Sequence, residues 1–94
     1  MAIFKQEAGN YTYITTGATT VINKGRTVLE FIIVNKALTG TVKIIDGSAG
    51  TTANVGILTN GTTAPLGTVQ YNIICNNGLS IVNSATEDLT IVWR

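Results

Sequence analysis

Residues Gly67–Trp93, GTVQYNIICNNGLSIVNSATEDLTIVW, contain three strand-like runs separated by two turns. Val69, Tyr71, Ile73 and Cys75 alternate with Thr68, Gln70, Asn72 and Ile74, the period of two expected of a strand with one face in a core. Asn76-Asn77-Gly78 breaks the run, Leu79 and Ile81 resume it, and the polar residues 83–87 break it again. Leu89, Ile91 and Trp93 then point one way while Thr90 and Val92 point the other. Three strand-like runs in a row promise a sheet.

The rest of the chain extends the pattern. Residues 1–10 have no periodicity and close on Gly9-Asn10, which reads as an extended N-terminal arm; residues 11–94 read as a single domain. Tyr11 to Ile22 gives one or two threonine-rich strands, with Tyr11, Tyr13 and Thr15 on one face and a bend at Gly17. Asn23-Lys24-Gly25-Arg26 is a tight turn whose glycine is free to adopt a positive φ. It leads into TVLEFIIVN (27–35), the most apolar run, where strict alternation puts Leu29, Phe31 and Ile33 on one face and Val28, Ile32 and Val34 on the other. With Glu30 as its one charge, this strand is expected to be covered on both sides, centrally in a sandwich or by another subunit. Thr41 to Asp46 is a further strand with Val42 and Ile44 inward and Lys43 outward, and Val55 to Leu58 a short one. No segment keeps helical spacing over three turns, and no fixed-period repeat occurs. About eight short strands with frequent turns define an all-β chain, and the expected architecture is a jelly roll-like antiparallel β-sandwich with an extended N-terminal arm.

Composition narrows the function. A chain of 94 residues forms one domain with a modest core, yet 45% of it is hydrophobic and only 12% charged, a balance that leaves apolar surface for another protein to cover. Six basic and five acidic residues, scattered singly, make neither a nucleic-acid stripe nor a polybasic membrane patch. Cys75 has no cysteine partner and reads as a small buried hydrophobe of a chain folded in a reducing cytoplasm. No stretch has the length of a signal peptide core or a membrane span.

Catalytic chemistry finds little material here. There is no histidine, the Asp46–Gly50 turn lacks the context of a nucleophilic serine, and no phosphate-binding glycine loop is present. Glu87-Asp88 reads as a solvated turn, short of the ligand number calcium needs and of the facing geometry that glycoside hydrolysis needs. No enzyme activity, cofactor or metal is therefore expected. Trp93 continues the Leu89, Ile91 face and reads as core or interface packing ahead of a sugar-stacking platform. The candidate partner-binding residues are Ile3 and Phe4 in the arm, which either pack back on their own domain or dock on a neighbouring chain, and Tyr11 and Tyr13, which can contact a neighbour through ring and hydroxyl.

GTVKIIDG (40–47), NGLSIV (77–82) and ATEDLTIVW (85–93) resemble strands and turns of small bacteriophage capsid cement or decoration proteins and related head-fibre modules of β-sandwich fold. The resemblance implies a non-enzymatic virion protein, assembled in the host cytoplasm. It would sit on the capsid exterior, often as a homotrimer, clamping adjacent major capsid subunits. It carries no binding residue across. The competing expectation is a receptor- or glycan-binding module of a phage tail or fibre, with ligand held by the loops around Asp46 to Thr52 and Asn60 to Ala64.

Overall fold

The computed structural model describes residues 9–48, 54–59 and 66–94. Eight strands occur in them: β1 (Asn10–Ile14), β2 (Thr19–Asn23), β3 (Thr27–Val34), β4 (Thr41–Ile45), β5 (Asn54–Thr59), β6 (Gly67–Cys75), β7 (Leu79–Asn83) and β8 (Leu89–Trp93). They form two four-stranded antiparallel sheets, sheet A in the order β1-β8-β3-β6 and sheet B in the order β2-β7-β4-β5. The chain is thus all-β, with the two-sheet arrangement of a β-sandwich. The run 11–22 resolves into two strands in different sheets, which is what the bend around Gly17 accomplishes.

One core joins the sheets. Ile14, Leu29, Ile32, Val34, Leu89, Ile91 and Cys75 from sheet A meet Val42, Ile44, Leu58, Leu79 and Ile81 from sheet B, all buried. Fully burying each of these large side chains stabilises the fold by roughly 1.5–3 kcal/mol before the entropy of ordering it is set against that gain. Val69, Tyr71 and Trp93 pack against the rim of this cluster, and Trp93 is fixed there by its indole Nε1–H, which donates to Thr12 Oγ1 at 3.1 Å. The three runs of residues 67–93 do not make a sheet with one another, which corrects the expectation from the sequence. β6 and β8 belong to sheet A, on either side of β3, and β7 crosses to sheet B between β2 and β4, because strand periodicity records which face is buried and not which strand is the neighbour.

Strand β3 departs from strict alternation. Leu29 faces Trp93 and Phe31 faces Val92, so Glu30 is an extra residue relative to β8; against β6 the same Glu30 stands opposite two residues, Tyr71 and Asn72. These are two β-bulges at one level of the sheet, and Asn72 takes the positive φ of 54° that such an irregularity demands. The bulge reverses the phase of β3. Thr27, Leu29, Ile32 and Val34 are buried, while Val28, Phe31 and Ile33 lie half-buried on the outer face. The expected trio of Leu29, Phe31 and Ile33 on one face is corrected accordingly. Only a one-residue slip at Glu30 lets both apolar halves of the strand reach the same core.

The turns are held by specific contacts. Gly78 has a φ of +122°, and a Cβ on it would lie 2.8 Å from the Asn23 carbonyl oxygen, so glycine is required there on both counts. Gly25 makes no use of a positive φ; its turn is fastened instead by Thr27 Oγ1–H donating to the Gly25 carbonyl (2.7 Å) and by Asn23 Nδ2–H donating to Thr27 Oγ1 (2.8 Å).

Candidate functional site

The two sheets present unlike outer faces. On sheet A the register sets Tyr11 beside Val92, Val92 beside Phe31 and Phe31 beside Gln70, with Tyr13, Thr90, Ile33 and Thr68 forming the next row. Neighbouring strands lie about 4.8 Å apart, so these rows are continuous side-chain surfaces. Tyr11 is 73% exposed and Tyr13 58%; Val28 and the 49% exposed Ile74 pair further along the same face. No charge interrupts the two rows. Among the described residues the nearest charged groups are the Arg94–Glu30 ion pair, which separates these rows from the Val28–Ile74 pair, and Asp88 at the other end, where its carboxylate engages the Tyr13 hydroxyl. On sheet B the corresponding row runs Thr19, Val82, Lys43, Ile57, with the Lys43 ammonium at its centre. An uncharged aromatic and aliphatic sheet face is the composition of an interface centre, and a face carrying a central lysine is that of a solvated wall.

The structure brings Tyr11 and Tyr13 together on β1, the edge strand of sheet A, as the alternation in the sequence indicates. Tyr13 is tied to the adjoining loop. Its hydrogen bond to the Asp88 carboxylate, then burial and the Asp88 charge, raise its pKa above the ordinary tyrosine value. Asp88 also accepts from Asn35 Nδ2 at 3.2 Å, and Asn35 reaches Thr90 Oγ1 at 3.3 Å, so this corner is a connected polar rim. Ile3 and Phe4 lie outside the described residues. Sequence alternation missed Phe31 and Ile33 as surface residues, and the signal was available: Glu30, a lone charge in an apolar strand, stands where the two phases meet.

At the same end of the molecule a cleft of about 240 Å³ is lined by Thr15, Lys36, Ala37, Thr39, Thr86, Glu87 and Asp88. Glu87 is not the solvated turn residue expected from the sequence; it is 4% exposed, and its carboxylate accepts from the backbone N–H groups of Thr39 (3.0 Å) and Gly40 (2.8 Å). A carboxylate so occupied is a loop fastener, with its lone pairs turned to backbone donors. Of the loops expected to hold ligand, 49–53 and 60–65 lie outside the described residues, while Asp46 Oδ1 accepts from Asn77 N–H at 2.8 Å and serves the turn. Among the described residues no group of three or more His, Cys, Asp or Glu side chains is placed to hold a metal ion. No helix among them is long and apolar enough to cross a membrane. Cys75 is fully buried, and burial, with a smaller contribution from the Asp46 charge, pushes its thiol pKa up, away from the reactive thiolate.

Comparison of the chain with protein-family models, with curated proteins and with solved structures returned no match.

Proposed function

We propose that this chain is a structural virion protein of the decoration or cement type, which binds the outside of a phage shell and stabilises contacts between major capsid subunits. The observation that carries the reading is the asymmetry of the two outer faces: sheet A offers two adjacent rows without a charge, edged by exposed Tyr11 and Tyr13, and sheet B a row centred on Lys43. A protein clamped permanently to a shell needs one adhesive and one solvated side, and tyrosine is among the side chains that contribute most at such contacts.

The strand pairing supports a jelly-roll reading of the sandwich. β1 pairs with β8, β2 with β7, β3 with β6 and β4 with β5, which is the pattern of one long antiparallel ribbon rolled up so that its halves alternate between sheets. The pairing of β8 with β3 and of β7 with β4 then closes each sheet. In this proposal Tyr11, Tyr13, Ile3 and Phe4 contact the shell or a neighbouring copy, the working assembly is a homotrimer on the capsid exterior put together in the host cytoplasm, and no catalysis, cofactor, nucleic acid or membrane is involved. The test is binding of purified protein to shells stripped of it. Tyr11→Ser/Tyr13→Ser should lower occupancy at least tenfold, about 1.4 kcal/mol, while leaving thermal stability within roughly 1 kcal/mol; unchanged occupancy removes the tyrosine face from the contact.

The second reading, a glycan-binding module of a tail or fibre, is favoured by the cleft beside Lys36 and Asp88, whose threonine hydroxyls, ammonium and carboxylate suit a monosaccharide's donors and acceptors. Reproducible binding of the isolated protein on a glycan array, abolished by Lys36→Ala, selects it.

A further inference from the structure

The two sheets have four edge strands, and they are not alike. β2, β5 and β6 each carry one residue more than the strand they pair with: Ile22 is extra against β7, Val55 against β4, and Tyr71 and Asn72 together oppose Glu30 of β3. Bulges of this kind twist an edge out of line, and they are one of the devices by which sheets refuse a further strand. β1, the other edge of sheet A, has none. Its five residues pair with β8 in unbroken register, and NYTYI contains neither a charge nor a proline. Among the described residues it is the one edge left open to another strand.

The hydrogen-bond phase identifies the groups this edge offers. Arg94 N–H donates to the Val28 carbonyl at 2.9 Å and accepts from Val28 N–H at 2.8 Å, while the Asp88 carbonyl accepts from Asn35 N–H at 2.9 Å. Asp88 and Arg94 thus both turn their backbone towards β3, and alternation turns Leu89, Ile91 and Trp93 the other way, towards β1. Their partners there are Ile14, Thr12 and Asn10. The N–H and C=O groups of Tyr11 and Tyr13 are therefore the ones that point off the open edge.

The same residues specify the occupant. Tyr11-Thr12-Tyr13 reads identically in both directions, so an antiparallel pairing of two copies about Thr12 sets Tyr11 of each opposite Tyr13 of the other. Every outward N–H and C=O then meets its complement. Aromatic pairs and a threonine pair directly across two strands are stabilising, and no charge is brought against its own image. We propose that two copies of this chain join through β1, continuing sheet A as one antiparallel sheet across a two-fold axis at Thr12. The contact is small, and so reversible and concentration-dependent. It uses the β1 edge alone, which leaves the rest of each chain free for the three-fold contact of a trimer. It concerns the free protein and stands or falls apart from the shell-binding reading.

Sedimentation equilibrium of the full chain should show a reversible doubling of mass with concentration. Tyr11→Pro deletes an outward N–H and spares the β1–β8 ladder. It should weaken the association roughly tenfold or more beyond Tyr11→Ala, which deletes the ring alone. Thr12→Cys should become a covalent pair on mild oxidation, because opposed residues with no backbone bonds between them lie about 4.5 Å apart at Cα, within disulfide range. Gln70→Cys, on the bulged edge, should not. A folded chain whose mass never doubles overturns the proposal. So do equal effects of proline and alanine at position 11, or cross-linking at position 70 in place of position 12.

Discussion

The Glu87 carboxylate binds the backbone N–H groups of Thr39 and Gly40, 48 and 47 residues away in sequence, and so locks the β7–β8 connection to the β3–β4 connection. The lock is reinforced by Thr39 Oγ1–H donating to the Thr86 carbonyl at 2.8 Å and by Thr41 N–H donating to Ser84 Oγ at 2.8 Å. Hydrogen bonds to a charged acceptor are worth more than neutral ones, and their loss here strands two backbone donors at a part-buried site. Glu87→Ala should therefore cost about 2–4 kcal/mol and Glu87→Gln about 1–2, measured by urea unfolding. Asp88→Ala, at the exposed rim, should cost less than about 1 kcal/mol.

The bulge at Glu30 reverses which residues of β3 support the fold. Ile32→Ala should cost about 3–4 kcal/mol, because Ile32 is fully buried between β8 and β6. Phe31→Ala, which removes a larger side chain from the outer face, should cost less than about 1.5 kcal/mol. Strict alternation through Glu30 gives the opposite ranking, so the pair of denaturation curves decides the phase of the strand.

Two backbone positions carry their own test. Gly78→Ala places a methyl group against the Asn23 carbonyl at a φ of +122°, and should destabilise by about 2 kcal/mol or more. At Asn72, φ 54°, a β-branched residue is strained where asparagine is tolerated, so Asn72→Val should cost about 1–2 kcal/mol although valine favours strands in general.

Much of this architecture was legible in the residues, for a physical reason. Val42, Ile44, Leu79, Ile81, Leu89 and Ile91 sit in strands whose inner and outer faces differ in polarity, and the period of two records that difference. Strand β3 was legible as a strand and misleading in its phase, because its outer face is almost as apolar as its inner one and alternation loses its contrast. Tyr11 and Tyr13 stood out as a tyrosine pair near the chain's arm, and the alternation put them on one face. The rest of that face was hidden, since Val92, Phe31 and Ile33 come together only through pairings of β1 with β8 and of β8 with β3 that no local pattern encodes. Glu87 was misread for the same reason: its partners, Thr39 and Gly40, lie in a distant loop.

Alkaline pH supplies a further prediction. Burial raises the pKa values of Cys75 and Tyr71 above their ordinary values of 9.0 and 10.0, and the bond to Asp88 does so for Tyr13. A raised pKa on an acid means that the folded state holds its proton more tightly than the unfolded state does. The corresponding stability is complete below the ordinary value and is lost as pH climbs toward the folded one. Urea midpoints should accordingly be flat near neutrality and fall above about pH 9. Cys75→Ala should lower the midpoint at pH 7 and flatten the decline between pH 9 and 10; an unchanged slope removes the thiol from the linkage.

The central claim, that the chain coats a shell through the sheet A face, is tested most directly by quantitative mass spectrometry of purified particles from its source. A fixed ratio of this chain to the major capsid protein, of order one copy per capsid subunit, is expected, with occupancy falling when Tyr11 and Tyr13 are replaced by serine. Absence from the particles, or a few copies each whatever the number of capsid subunits, would contradict it.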